Sequence, residues 1–149
     1  MAVLLPVYGL QFLLTQFMKS EHPLAKLAME QPSTGVLMLT TVSAVVVAPL
    51  FEEFMFRVLL QGWFEKWETL WRESAGKNIP GRTGLLPNVI VSALFGLSHL
   101  GHGPDPVALF VLSLILGYTY QRTHRIIAPL VVHVCFNARA VLMLWIMLW

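Results

Sequence analysis

Long stretches without a charged residue constrain this chain more than any other feature of its sequence. Residues 31–51, 83–104 and 106–121 contain no Asp, Glu, Lys or Arg, and residues 126–149 contain only Arg139. About 20 apolar helical residues are needed to cross the hydrocarbon core of a bilayer. The pattern therefore predicts an all-α fold, a polytopic transmembrane helical bundle with about five membrane-spanning helices. The predicted spans are residues 2–18, 34–64, 84–100, 106–121 and 125–148.

The composition excludes the main alternatives to a membrane protein. Charged residues make up 12% of the 149 residues and hydrophobic residues 56%, whereas a soluble domain carries roughly 25% charged residues. So few charges do not cover a soluble surface, and so many apolar residues exclude intrinsic disorder. The net charge of +2 gives no indication of a nucleic-acid partner. The single cysteine, Cys135, excludes an intrachain disulfide framework.

The basic residues in the loops predict how the chain is oriented. Most of them lie in the loops before the third and fifth predicted spans, namely Lys66, Arg72, Lys77, Arg82, Arg122 and Arg125, against Lys19 and Lys26 on the opposite side. Because loops rich in Lys and Arg stay in the cytoplasm, the N-terminus is predicted to be cytoplasmic. The chain is thus predicted to be an integral multi-pass membrane protein. Residues 1–149 form a single membrane domain in this prediction, with the first helix and its loop at residues 1–30.

Ionisable residues inside the predicted spans mark a candidate site. Each such group costs at least about 2.5 kcal/mol in a bilayer, so it indicates a function by default. Three helices contribute, and the estimated depths place their polar groups together in the cytoplasmic half of the membrane. The full charges among them sum to zero, which predicts a paired cluster in which Arg139 contacts Glu52 or Glu53. The residues are Glu52, Glu53, Arg57, His99, His133 and Arg139, together with the amide of Asn137.

Helical spacing and prolines add detail to this cluster. Pro49 and Pro129 precede Glu52 and His133 by three and four residues. A proline at such a position kinks a helix or frees a backbone carbonyl, and it can open a cavity beside a site. Residues four apart share one helix face. The pairs with this spacing are Glu53 with Arg57, Phe95 with His99, and His133 with Asn137.

Three motifs in these helices resemble those of a known family. The segment from Phe51 to Arg57 resembles the EExxxR motif of the CPBP intramembrane proteases, a family named for CAAX proteases and bacteriocin processing. Residues 95–99 match its FxxxH motif and residues 133–137 match its HxxxN motif, in the same order. Each motif is weak alone, but three in order on apolar helices are a strong signal. The CPBP protease-like core is predicted to cover residues 43–144.

The resemblance implies an intramembrane endopeptidase with a conical or cleft-like active-site cavity open toward the cytoplasmic side. Its motifs assign Glu52 as the general base that activates a water together with His99. They assign His133 and Asn137 as hydrogen-bond donors to the oxyanion. The implied partner is a membrane-associated protein or peptide substrate within the lipid bilayer, and no nucleic acid is involved.

The resemblance also indicates what surrounds the catalytic residues and leaves the metal content open. Glu53, Arg57 and Phe95 are expected to hold the site together. Glu52, His99 and His133 are also a set that binds catalytic zinc and leaves a position for water, although the chain has no HExxH motif. We favour a metal-free glutamate mechanism, with no cofactor assigned and zinc as the alternative.

Other classes of function are weighed against the endopeptidase. Some relatives are non-catalytic membrane scaffolds or bacteriocin self-immunity proteins, so the same polar cluster could hold a partner instead of a substrate. A transporter or channel needs polar residues along several helices, whereas this chain has one polar cluster. The short, motif-dense chain favours a prokaryotic cytoplasmic (inner) membrane as its location.

Overall fold

The chain folds into helices joined by turns. A computed structural model describes residues 2–17, 23–31, 33–77, 84–103 and 105–148, and these ranges contain no strand. The predicted all-α fold class is therefore confirmed. The helices are α1 (Leu5–Thr15), α2 (Pro23–Glu30), α3 (Thr34–Ser74), α4 (Leu86–Leu97), α5 (Asp105–Thr123) and α6 (Ile127–Leu148).

Two of these helices have the length and hydropathy of a membrane span. They are α3, with 41 residues, and α6, with 22, whereas α1 and α4 are apolar but shorter. The count of five spans therefore stays a prediction. At about 1.5 Å per residue, α3 is roughly 60 Å long, twice the hydrocarbon core, and it ends well beyond the predicted boundary at residue 64. Three residues on which the predicted span ends and loop charges depend lie outside the described residues, namely Met18, Lys19 and Arg82.

A short helix, α2, occupies part of the segment that was predicted to be a loop. Its eight residues are too few to show an apolar run of membrane length. Contacts with other helices stabilise it, because the fully buried Ala28 packs with Leu37 of α3 and Leu144 of α6. Tertiary packing of this kind is the main source of stability for a helix of two turns.

Two π-helical segments interrupt α3, at Ser43–Val47 and Phe54–Gln61. In an α-helix, residues four apart drift by about 40° around the axis at each step, whereas a π-helix, with about 4.4 residues per turn, rotates them back. The second segment therefore keeps a row of polar side chains on one face of α3. The row consists of Glu53, Arg57, Gln61 and Glu65, all of them buried.

α4 and α5 pack against each other through a glycine on each helix. A Cβ atom at Gly96 would lie 2.8 Å from the carbonyl oxygen of Pro106, so the two backbones nearly touch. A Cβ atom at Gly117 would overlap the side chain of Asn88. Small residues at such crossings let membrane helices approach closely. On α5, the side chain of Ser113 and the carbonyl oxygen of Gly117 contact the buried face of α3.

The C-terminal part of α3 turns aromatic side chains outward and charged ones inward. Trp63, Trp67 and Trp71 are 61%, 55% and 58% exposed, whereas Glu65 and Glu68 are buried. Charged side chains that face the protein interior are typical of helices in apolar surroundings. Tryptophan is enriched where a membrane meets water, so this face of α3 suits the membrane interface.

Candidate active site

A cavity of about 230 Å³ lies between α3, α6 and the end of α4. The structure brings all four predicted catalytic side chains to its wall, and Phe95 lines it as well. Three helices that are far apart in the sequence therefore contribute to one site. The four side chains are Glu52, His99, His133 and Asn137.

The carboxylate of Glu52 faces both histidines. Its Oε1 atom lies 3.9 Å from Nε2 of His99, and its Oε2 atom lies 3.6 Å from Nε2 of His133. The Glu52 side chain is 21% exposed, whereas that of His133 is only 2% exposed. These separations are longer than direct hydrogen bonds, and one bridging water can span them.

The hydrogen bonds of His99 determine which of its ring nitrogens accepts. Its Nδ1 atom lies 2.9 Å from the carbonyl oxygen of Phe95, one turn earlier. A carbonyl oxygen only accepts, so Nδ1 carries the hydrogen and donates it. The neutral ring then presents the lone pair of Nε2 to Glu52. This is the state that a base or an acceptor for water requires.

A buried ion pair holds His133. The ring Nδ1 atom lies 2.9 Å from Oε1 of Glu53, and Oε2 of Glu53 accepts from Nε of Arg57 at 3.1 Å. The predicted pairing of Glu53 with Arg57 is thus confirmed, and both side chains are fully buried. Because Glu53 is the acceptor for the guanidinium as well, His133 donates to it through Nδ1 and turns Nε2 toward Glu52.

Two residues outside the motifs complete the surroundings of Arg57. Its Nη2 atom donates to Oγ of Ser113 at 2.8 Å, and its Nη1 atom lies 3.5 Å from Oε1 of Gln61. Gln61 in turn donates through Nε2 to the carbonyl oxygen of Gly117 at 3.0 Å. Neither residue was predicted from the sequence. Gln61 continues the four-residue spacing from Glu53 and Arg57, which is a usable signal, whereas nothing in the sequence of α5 singles out Ser113.

The first π-helical segment explains the position of Asn137. The N–H of Ala48 donates to the carbonyl oxygen of Ser43, five residues earlier, so in this register the next carbonyl, that of Ala44, faces residue 49. Pro49 has no N–H to donate, and the Ala44 oxygen accepts from Nδ2 of Asn137 at 2.8 Å instead. The predicted freeing of a carbonyl by Pro49 is confirmed. Asn137 is thereby fixed at the cavity wall by one N–H of its amide.

Phe95 packs against the two predicted catalytic histidines and against Arg57. Its buried ring lies 5.0 Å from the ring of His99 and 5.9 Å from that of His133, measured between centroids. The centroid of the same ring also lies 5.0 Å from that of Phe56 and 5.7 Å from Cζ of Arg57. The phenylalanine of the FxxxH motif therefore fixes both histidines by apolar packing.

Arg139 is not part of this cluster, and the predicted contact with Glu52 or Glu53 is wrong. Its residue surface is exposed, and its Cζ atom lies 4.2 Å from the ring centroid of Tyr8 on α1. A cation over an aromatic ring is attracted by the negative face of the ring. α1 thus supplies a partner that a balance of opposite charges does not reveal.

The part of the chain that the structure describes has no group of three or more His, Cys, Asp or Glu placed to hold a metal ion. The zinc alternative, with Glu52, His99 and His133 as ligands, therefore gains no support from the geometry. What the geometry does show is a carboxylate opposite two oriented imidazoles, an arrangement suited to moving protons.

The fold and the site define the class only broadly, as a helical protein with apolar helices that gather a glutamate and two histidines around one cavity. Comparison with known families is more specific. Residues 34–139 match the family described as type II CAAX prenyl endopeptidase Rce1-like, and the chain belongs to this family. The resemblance inferred from the three motifs is therefore confirmed. No curated protein and no solved structure matches the chain.

The match covers the whole of the cluster. It begins with α3 and ends within α6, so it includes the three motifs and Ser113. α1, α2 and the last part of α6 lie outside it. Membership implies a membrane protein with protease activity toward membrane-associated peptides of the CAAX type.

Proposed function

We propose that this chain is an intramembrane endopeptidase that hydrolyses a peptide bond in a membrane-associated protein or peptide. One observation carries the proposal: the Glu52 carboxylate faces Nε2 of His99 at 3.9 Å and Nε2 of His133 at 3.6 Å on the wall of one cavity. Hydrolysis of an amide needs a base for water and donors for the oxyanion, and these groups supply both. Membership of the family supports the same class of reaction.

In the proposed reaction, Glu52 and His99 activate the attacking water. The water donates one hydrogen to the Glu52 carboxylate and the other to the Nε2 lone pair of His99, which leaves its oxygen free to attack the substrate carbonyl. Glu52 takes the proton as the C–O bond forms and returns it to the amine as the C–N bond breaks. A positioned base of this kind contributes about 10²–10⁴ in rate, and no metal is needed.

His133 and Asn137 are proposed to bind the oxyanion. Asn137 uses one N–H for the Ala44 carbonyl, so its second N–H is available at the cavity wall. Donation from Nε2 of His133 requires a proton on that nitrogen, and the Glu53 carboxylate at Nδ1 stabilises the resulting imidazolium. Loss of one preorganised donor typically lowers the rate by about 10²–10³.

The charges of the cluster support this assignment. Glu52, Glu53 and Arg57 together carry one negative charge, because Arg139 lies over Tyr8 instead. A buried cluster in apolar surroundings is favoured when its charges cancel. The proton that donation from Nε2 of His133 to the oxyanion requires would also cancel this charge.

The finer topology is part of the proposal. We propose five spans, with the N-terminus in the cytoplasm because the loops rich in Lys and Arg lie on that side. The cavity then opens toward the cytoplasmic side of a prokaryotic inner membrane. Substrates reach it from that face or laterally from the bilayer.

Comparative terminomics of native membranes tests the proposed activity. Wild type is compared at equal expression with Glu52→Gln and with Glu65→Gln as a matched control. Glu65 is another buried carboxylate of α3, but it accepts from Gln61 and does not line the cavity. We expect protein termini that disappear with Glu52→Gln and persist with Glu65→Gln. If Glu52→Gln leaves every terminus unchanged under several growth conditions, the endopeptidase is refuted, and the scaffold or self-immunity function takes its place.

A further inference from the structure

The cavity extends well beyond the catalytic side chains. On α3 its wall follows Glu52, Ala48, Ala44 and Thr40, which recur every four residues. This wall is roughly 18 Å long at about 1.5 Å per residue. The facing wall on α6 runs over residues 133–144, which corresponds to about 16 Å. The site is therefore an elongated groove with the catalytic groups at one end.

A buried hydroxyl without a partner lies at the other end of the groove. Thr40 is 3% exposed, it lines the cavity, and its Oγ1 atom has no hydrogen-bond partner among the described residues. The neighbouring Thr41 differs, since it donates to the carbonyl oxygen of Leu37 at 2.7 Å and accepts from Trp145 at 3.0 Å. Buried polar groups are almost always paired, so the hydroxyl of Thr40 indicates a group that is added from outside.

The residues that line the groove lie partly inside and partly outside the range that matches the family. The catalytic end is built from residues inside the matched range of 34–139. Much of the rest is lined by residues outside it, which are Gln11, Ala25, Ala140, Val141 and Leu144. Thr40, Ala44 and Ala48 lie within the matched range, so residues inside and outside the family match together form the part of the groove beyond the catalytic end.

We propose that this far end is a substrate subsite, in which the Thr40 hydroxyl forms a hydrogen bond with the backbone of an extended peptide. The inference rests on the proposed function. An extended chain advances about 3.4 Å per residue, so Thr40 meets the substrate about five residues from the bond that Glu52 cleaves. A CAAX-type substrate has only three residues after that bond, which places the contact on its N-terminal side.

The lining favours a peptide over a hydrocarbon tail. Ala44 and Ala48 on α3 and Ala140 on α6 place only methyl groups at their parts of the wall, which leaves room there for an extended backbone. A hydrocarbon would also fit these apolar walls, but it would leave the Thr40 hydroxyl without a partner.

Peptides of graded length test the subsite on the full chain in proteoliposomes. The probes are internally quenched peptides that end in a farnesylated Cys-Ala-Ala-Met sequence and carry two to eight residues before the cysteine. Wild type is compared with Thr40→Val, which replaces the hydroxyl with a methyl group of similar size, and with Thr119→Val as a matched control. Thr119 lies on α5 outside the cavity and donates to the carbonyl oxygen of Ile115 at 2.8 Å.

We expect kcat/KM of wild type and Thr119→Val to rise about 3- to 10-fold as the upstream segment reaches about five residues, the size of one net hydrogen bond. Thr40→Val lacks this rise. An ester in place of the amide at that position lowers kcat/KM of wild type and leaves Thr40→Val unchanged. The subsite is refuted if kcat/KM of Thr40→Val still depends on the length of the upstream segment. It is also refuted if the difference in kcat/KM between wild type and Thr40→Val depends instead on whether the peptide carries a farnesyl or a geranyl group.

Binding of the same peptides to Glu52→Gln, measured by fluorescence anisotropy, separates the subsite from the proposed activity. Length-dependent binding that requires Thr40 without any cleavage by wild type supports the subsite and refutes the endopeptidase. Cleavage that requires Glu52 without any effect of Thr40 on either readout refutes the subsite alone. Absence of both binding and cleavage for every probe contradicts both proposals.

Discussion

Replacement of Ser113 on α5 by alanine tests whether this helix positions His133, the proposed donor to the oxyanion. Ser113 accepts from Arg57 at 2.8 Å, Arg57 donates to Glu53 at 3.1 Å, and Glu53 accepts from His133 at 2.9 Å. Every side chain in this series is buried. Ser113→Ala therefore leaves one N–H of the buried Arg57 guanidinium without a partner. Arg57 is then held less firmly, and so are Glu53 and His133, which follow it in this chain of hydrogen bonds.

The size of the effect follows from the hydrogen bond that is removed. A hydrogen bond to a charged group contributes about 1.5–3 kcal/mol. Ser113 acts on His133 only through two other residues, so we assign about half of this loss, roughly 0.8–1.5 kcal/mol, to the transition state. That corresponds to a kcat about 4- to 12-fold lower. KM is expected to stay unchanged, because Ser113 does not line the cavity.

The assay measures kcat and KM on a farnesylated CAAX peptide in proteoliposomes, with the melting temperature of each variant. Ser92→Ala is the matched control, since Ser92 is also fully buried but donates to Oδ1 of Asn88 at 3.1 Å, whereas Ser113 accepts from Arg57. It is expected to lower stability and leave kcat within about twofold. The reasoning is refuted if Ser113→Ala keeps the wild-type kcat, raises KM alone, or changes kcat no more than Ser92→Ala does.

Three further predictions concern packing, charge and metal. Gly117→Ala is expected to destabilise the protein by about 1–3 kcal/mol, because its Cβ atom overlaps the side chain of Asn88; Gly9→Ala, with nothing within 4 Å, should leave the melting temperature unchanged or raised, and equal losses would contradict the packing. Arg57→Gln should abolish cleavage, whereas Arg139→Gln, whose guanidinium lies over Tyr8, should keep most of the wild-type kcat; a severe loss with Arg139→Gln would return it to the cluster. Removal of metals with a chelator should leave the cleavage rate within about twofold, and a loss that zinc restores would assign the catalytic residues as metal ligands.

The sequence was sufficient to identify the residues of the site that are unusual in a membrane. Glu52, His99 and His133 stand out because ionisable groups are rare in apolar helices, and helical spacing relates Glu53 to Arg57. The structure adds distances and the direction of each ring nitrogen. These depend on tertiary contacts that no spacing in the sequence encodes.

The wrong contact predicted for Arg139 and the unpredicted contact of Ser113 have physical reasons. Arg139 is paired with the aromatic ring of Tyr8 rather than with a carboxylate. A sum of charges over the sequence considers only carboxylates as partners for an arginine. Ser113 is an ordinary serine in an apolar helix until α5 packs against Arg57.

The backbone of α3 shows the same limit. Pro49 indicated a disturbed helix, but the π-helical segment at Phe54–Gln61 does not follow from hydropathy. A polar row on one face of a helix is visible in the sequence only when the residues per turn are known.

The most direct test of the proposed mechanism is the rate at which the purified protein, in proteoliposomes, cleaves a farnesylated CAAX peptide with and without the Glu52 carboxylate. The proposal predicts that wild type releases the C-terminal tripeptide and that Glu52→Gln does so about 10²–10⁴ times more slowly, while Glu65→Gln stays close to wild type. Equal rates for wild type and Glu52→Gln would contradict the role of Glu52 as the base.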